Sequence, residues 1–136
     1  MRACAVDLGD ARTGVAFSDI NRTIVGQTVV IKEKGFKKLA NTLAGMFAEK
    51  NVTCVAVGLP VNMDGTKGPR AEKAEEFAEL LCEVSGLPVT LIDERKTTAD
   101  ANRILSEVNI FGHKRKNCVD AVAASLILEI FLKRLK

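Results

Sequence analysis

The chain has 136 residues, 47% hydrophobic and 27% charged, which predicts one domain, residues 1–136, with a core of useful size. A net charge of +3 permits nucleic-acid binding without implying it, and six Phe with no Trp or Tyr argue against base stacking as the main mode of binding. The sequence shows no signal peptide and no apolar run near the ~20 residues of a membrane span, so a cytoplasmic protein with no membrane partner is expected.

Cysteine usage points the same way. Cys4, Cys54, Cys82 and Cys118 are scattered without a C-x-x-C pair, and His113 is the one histidine. That pattern excludes the usual structural zinc spacings, and the apolar context of each Cys predicts small core residues in a reducing cytosol.

In chain order, the first strand is expected over Ala3–Leu8, and the alternating second over Thr13–Ser18 after a turn with two glycines. A third β-run covers Gln27–Lys32. Phe36–Lys50 spaces Leu39, Leu43, Met46 and Phe47 as a helix does. Val52–Pro60 is almost continuously apolar, as a strand covered on both faces should be. After the loop PVNMDGTKGPR, Pro69 opens a helix from Arg70 to about Val84.

Leu87–Asp93 predicts another strand, and TTADANRILSEV a helix begun at Thr97 or Thr98, with Asp100 completing a capping box. NIFGHKRKN carries no apolar period. The last helix is expected over Cys118–Leu135. The order βββ-α-β-α-β-α-α predicts an α/β fold: a mixed five-stranded sheet of three antiparallel N-terminal strands and then parallel crossovers, with helices on both faces.

Three acids occupy special places in this scheme. Asp7 interrupts the apolar first strand, where a carboxylate loses hydration. Asp93 and Glu94 stand at the carboxyl end of the last strand, a common ligand position in open α/β sheets. Asp120 falls on the first turn of the expected last helix. With the first strand central, Asp7, Glu94 and Asp120 come together at one sheet edge.

Carboxylates gathered there repel by about 4 kcal/mol per pair at 4 Å, taking an effective dielectric of 20. Protonation or a divalent cation relieves that repulsion, and oxygen-only sites suit Mg²⁺ or Mn²⁺. Two such ions can stabilise both the attacking and the leaving oxygens of phosphodiester cleavage. Structural alternatives stand beside each acid: backbone amides of the turn for Asp7, the helix dipole for Asp120, and Arg95 or Lys96 as ion-pair partners for Glu94.

Four segments carry a family resemblance: AVDLGDARTGVAFSD, VGLPVNMDGTKGPRAEKAEEFAELL, IDERKTTADANRIL and VDAVAASLILEIFL. In this order, across nearly the whole chain, they resemble the signature blocks of the YqgF/RuvX family. The resemblance implies a ribonuclease H-like fold and a metal-dependent nuclease maturing the 5′ end of pre-16S rRNA in ribosome biogenesis. It also implies the alternative of a Holliday-junction-resolvase-like enzyme on branched DNA. Asp7, Glu94 and Asp120 are then the metal-binding catalytic acids, Asp93 being less firmly placed, with two Mg²⁺ or Mn²⁺ ions.

Cations surround these blocks. Arg12 lies in the hairpin turn, and Asn62, Lys67 and Arg70 in a loop leading to a helix N-terminus, a favourable place for a phosphate. Arg95 follows Glu94 and can stabilise charge building on phosphate. Lys114, Arg115 and Lys116 precede Asp120, as phosphate contacts or as a solvated loop. Two further readings remain open: a non-catalytic nucleic-acid or ribosome-assembly module, and an ATP-binding domain of the actin and Hsp70 type. The latter needs two copies of the fold and leaves the Asp-Glu-Arg block unexplained. Ribosomal precursor particles are compatible partners, and monomer and homodimer are equally open.

Overall fold

A computed structural model describes residues 1–9, 12–33, 35–60, 68–93 and 112–135, the last segment with side chains from 122 onward. Five strands form one sheet: β1 (Arg2–Leu8), β2 (Thr13–Ser18), β3 (Val25–Ile31), β4 (Val52–Leu59) and β5 (Val89–Asp93). Their spatial order is β3-β2-β1-β4-β5. β1 pairs antiparallel with β2 and parallel with β4, and β5 continues parallel beyond β4. The expected mixed topology, with the first strand central, is therefore present.

Side-chain alternation along the strands assigns each face of the sheet a core. Cys4, Val6, Val15, Phe17, Val55 and Val57 face α1 (Phe36–Lys50) and α2 (Pro69–Ser85), where Leu39, Leu43, Phe47, Phe77 and Leu81 are buried against them. Ala3, Ala5, Ala16, Ala56 and Ile92 face the opposite way, under α3 (Gly112–Leu135). The alanine floor has a physical consequence: small side chains let α3 lie close on the sheet, with Ala124, Ile127, Leu128 and Phe131 filling the gap.

Element ends differ from the sequence reading by two residues or more in three places. β3 begins at Val25 rather than Gln27, because Ser18 pairs with Val25 across a register shift. β5 begins at Val89, since Pro88 has no N–H for the ladder, although its carbonyl accepts from Val55 N–H at 3.0 Å. α3 begins at Gly112, six residues ahead of Cys118. The HKRK run is thus helical backbone rather than a loop; lysine and arginine are good helix formers even where no apolar period shows.

Of the cysteines, Cys4 and Cys54 are buried as expected, and burial pushes the Cys4 thiol well above its ordinary range, with Cys54 adding to the shift. Cys82 is exposed on α2, a correction to the core placement. It stands one turn beyond Ala78, at the margin of the stripe centred on Ala74, Phe77 and Leu81. The Cys118 side chain and the helix expected over 97–108 lie outside the described residues. No described helix is long and apolar enough to cross a membrane.

Candidate metal and nucleic-acid site

The carboxyl ends of β1, β4 and β5 share one edge of the sheet because the three strands are parallel. Asp7 is the penultimate residue of β1 and is half-buried there. By alternation it shares a face with Ala3 and Ala5, the face covered by α3. Asp7 pairs with Gly14 of β2. On its other side the β1–β4 pairing ends at Val6 opposite Val57, and extending it by one residue brings Gly58 beside Asp7.

Both neighbours of Asp7 on that face are therefore glycines. On a face otherwise floored mainly by alanine, the two cross-strand positions beside the carboxylate carry no side chain. A glycine inside a strand often marks the close approach of a ligand. Gly14 and Gly58 are the site residues the sequence reading missed; their signal was two glycines inside strands, opposite an acid, legible only once the register is known.

α3 supplies the opposing wall. Its C-terminal part lies against the β2–β3 turn, where Glu129, Leu132 and Lys133 border one hollow with Thr23, Ile24 and Val25. That turn is at the end of the sheet where β1 begins, because Cys4 pairs with Phe17. The helix therefore runs from the Asp7 end of β1 back toward its start. At 1.5 Å rise per residue, position 120 lies about 18 Å from Leu132, a span similar to the length of β1.

Position 120 is also one turn ahead of Ala124, in the stripe that continues through Ile127 and Leu128. Because α3 starts at Gly112, position 120 stands more than two turns into the helix and not on its first turn. The dipole at a helix N-terminus fades within that first turn, so the dipole alternative for Asp120 is removed. The Asp120 side chain lies outside the described residues, as do those of His113, Lys114, Arg115 and Lys116.

Asp93 closes β5 opposite Leu59 and is exposed. Ile92 packs under α3, whereas Leu91 packs with the α1–α2 core. Alternation therefore turns Asp93 to the α1–α2 side, away from the Asp7 face. Two strand spacings of about 4.8 Å separate the β1 and β5 ends. Glu94, Arg95, Asn62 and Lys67 lie outside the described residues. Arg12 is half-buried just ahead of β2, and Arg70 is exposed on the first turn of α2.

The hairpin that holds Asp7 is tight. A Cβ on Gly9 would overlap the backbone carbonyl of Arg12, so a glycine is needed where β1 leaves the sheet. Among the described residues no three His, Cys, Asp or Glu side chains come together as a metal cluster. Two of the three acids expected to form one fall outside that set. What the described part offers a hard cation is a half-buried carboxylate at the end of the central strand, a donor type that suits Mg²⁺ or Mn²⁺.

A sheet ordered β3-β2-β1-β4-β5, helices on both faces and an acid at the end of the central strand define a ribonuclease H-like domain. The fold is that of RuvC-type resolvases. Thermus thermophilus RuvC superposes with a TM-score of 0.60 at 12% identity, covering 99% of this chain and 96% of RuvC. The fowlpox virus resolvase, solved with Holliday junction DNA, gives 0.56 at 16% identity over 99% of both chains.

The chain belongs to the RuvX family, whose model, described as Holliday junction resolvase, matches residues 1–134. It is 38% identical over 136 residues to a Ruminiclostridium cellulolyticum protein named "Putative pre-16S rRNA nuclease", covering 99% of this chain and 96% of that one. A Halothermothrix orenii protein of the same name is 41% identical over 133 residues, with 97% and 94% covered.

Proposed function

We propose that this protein is a divalent-metal-dependent endonuclease that hydrolyses phosphodiester bonds in structured RNA and matures the 5′ end of pre-16S rRNA. The observation that carries the reading is the half-buried Asp7 at the end of the central strand, flanked by Gly14 and Gly58. Half-burying a carboxylate in an apolar sheet carries a desolvation cost, and the glycines beside it add no side chains of their own to the site. Family membership and the name shared by the relatives support the same activity and substrate.

Asp7, Glu94 and Asp120 would hold the ions, two Mg²⁺ or Mn²⁺. When bound, the ions supply charge stabilisation at the attacking and leaving oxygens of the phosphodiester. Asp7 presents its carboxylate from a rigid strand, so its oxygens stay fixed while charge moves at the phosphorus. The close fit of α3 on its alanine floor would hold residue 120 at a fixed position relative to Asp7. Arg12, Asn62, Lys67, Arg70, Arg95, Lys114, Arg115 and Lys116 are assigned to backbone phosphates, which fix register without reading bases.

Cleavage of branched DNA is the second reading, favoured by the family description and by the shared fold of the two resolvases. Both readings meet in one experiment: pre-16S rRNA and a four-way DNA junction incubated side by side with Mg²⁺ or Mn²⁺, using wild type and Asp7→Asn. Cleavage of the RNA alone, lost at least 10³-fold in the variant, is expected. Cleavage of the junction alone transfers the assignment to DNA, and undiminished turnover by Asp7→Asn overturns the role of this acid.

A further inference from the structure

On the opposite side of the β1 end from Asp7, a cleft of about 280 Å³ opens between the sheet, α1 and α2. Leu8, Phe36 and Leu39 form its apolar part. Phe36 is itself fixed edge-on against the buried Phe77, with ring centroids 5.4 Å apart at 67°. Arg70 and Lys73, one turn apart on α2, stand at the cleft with Glu33 and Glu76. Gly9 completes the lining, so the cleft begins with Leu8, the residue after Asp7.

We propose that this cleft is a subsite for one ribonucleotide of the RNA strand being cut, an inference that rests on the nuclease reading and extends it. The volume is at the lower end for small-ligand pockets, enough for one nucleotide and too little for a duplex. An apolar floor ending in a rigid aromatic ring suits a base, whose faces gain from such contact. Arg70 and Lys73 suit a phosphate, the guanidinium by paired donors and the ammonium as a point charge. Arg70 projects from the first turn of α2, where the helix dipole adds positive potential and Gly68 provides no side-chain cap, and Lys73 from the turn after it.

The two carboxylates cancel the two cations in net charge, which selects against a run of phosphates and leaves the paired donors of Arg70 and Lys73 for a single one. They also accept hydrogen bonds, and the hydroxyls of a ribose are donors that every ribonucleotide offers, whatever its base. Glu33 already holds its own turn by accepting from Gly35 N–H at 3.3 Å, which keeps it in place as an acceptor. A 2′-hydroxyl is the group by which a protein tells RNA from DNA. The cleft thus predicts preference for ribose at one position beside the cut.

The test uses the full chain without divalent metal, in EDTA, so that it does not depend on Asp7. Adenosine 5′-monophosphate, its 2′-deoxy counterpart and inorganic phosphate are titrated while methyl and ring resonances are followed by NMR. The ribonucleotide is expected to shift Leu8, Leu39 and Phe36 together, with the deoxynucleotide at least fivefold weaker. Inorganic phosphate should move the amides of Arg70 and Lys73 and leave the Phe36 ring alone. Arg70→Ala/Lys73→Ala should weaken the ribonucleotide tenfold or more, and Glu33→Gln/Glu76→Gln should erase the ribose preference.

With Mg²⁺ and the RNA substrate, Arg70→Ala/Lys73→Ala should act on KM, whereas Asp7→Asn acts on kcat. No shift at Leu8, Leu39 and Phe36 with millimolar ribonucleotide overturns the subsite, as does equal binding of the two nucleotides. A blank titration beside Asp7-dependent cleavage removes the subsite alone. Cleavage that survives Asp7→Asn removes the role of Asp7 and the metal centre built on it, and leaves the EDTA titration to judge the subsite.

Discussion

Substituting Gly58 by Ala adds one methyl group to the face of β4 that carries the Asp7 cradle. The register, extended by one residue, sets Gly58 level with Asp7 on the adjacent strand, and strands are spaced by about 4.8 Å. The methyl then stands about 5 Å from the Asp7 Cβ, in space a cation needs for the waters it retains. Changes beside metal ligands cost about 10–100-fold in affinity, and a filled cradle predicts the upper end. At Mn²⁺ one hundred times its wild-type Kd, binding stabilises the folded protein by ~2.7 kcal/mol, on the order of 10 °C in Tm for a chain of this size.

A hundredfold weaker site at the same Mn²⁺ concentration contributes about 0.4 kcal/mol, or under about 2 °C. Thermal denaturation in Mn²⁺ against EDTA reads this directly. Each protein is compared with its own metal-free state, which cancels the opposed effects of the methyl on the fold: about 0.5–1 kcal/mol gained in backbone entropy and about 1–3 kcal/mol lost if the methyl overpacks. A Gly58→Ala protein that keeps the full Mn²⁺ shift refutes the idea that glycine there makes room for the ion.

Three further outcomes follow from the same structure. Ala5→Leu, under α3, should cost about 1–3 kcal/mol by overpacking and lower kcat more than it raises KM, because it lifts the helix wall away from Asp7; unchanged kcat in a destabilised protein would separate α3 from catalysis. Phe77→Ala removes a fully buried ring and should cost about 3–5 kcal/mol, read as a lower urea midpoint at constant slope. Asp19 accepts from the backbone N–H groups of Ile24 and Thr23, which hold its carboxyl at about 2 against an ordinary 3.8. A depressed folded-state value means the stabilisation is complete above pH 3.8 and is lost as pH falls toward 2. Asp19→Ala should flatten the stability profile in that window, which acid titration of the unfolding midpoint will show.

The sheet was legible because its signals are local. An alternating run, two glycines in a turn and a continuous apolar stretch identify β1, β2 and β4 before any contact is known. The start of α3 was hidden because HKRK has helix propensity without an apolar stripe, and pattern reading tracks the stripe. Asp7 could be singled out as a charge in an apolar strand. Its glycine flanks could not, since pairing register depends on partners distant in sequence. Parity likewise separates Asp93 from the Asp7 face although both end parallel strands of one sheet edge. The exposed Cys82 shows the limit of apolar context as a guide to burial: its neighbours are core residues, but its own position on the helix is not.

Where a divalent cation settles on the protein is the most direct test of the proposed centre. Small additions of Mn²⁺ to ¹⁵N-labelled protein broaden the amides nearest the bound ion first. The amides of Asp7, Gly14 and Gly58 should fade ahead of all others in the described strands, followed by Ala123 and Ala124 of α3, while Thr23 and Val25 at the far end of the sheet stay sharp. Mn²⁺ that broadens the far turn or the outer surface of α2 first, and spares Asp7 and its two glycines, contradicts the metal centre proposed here.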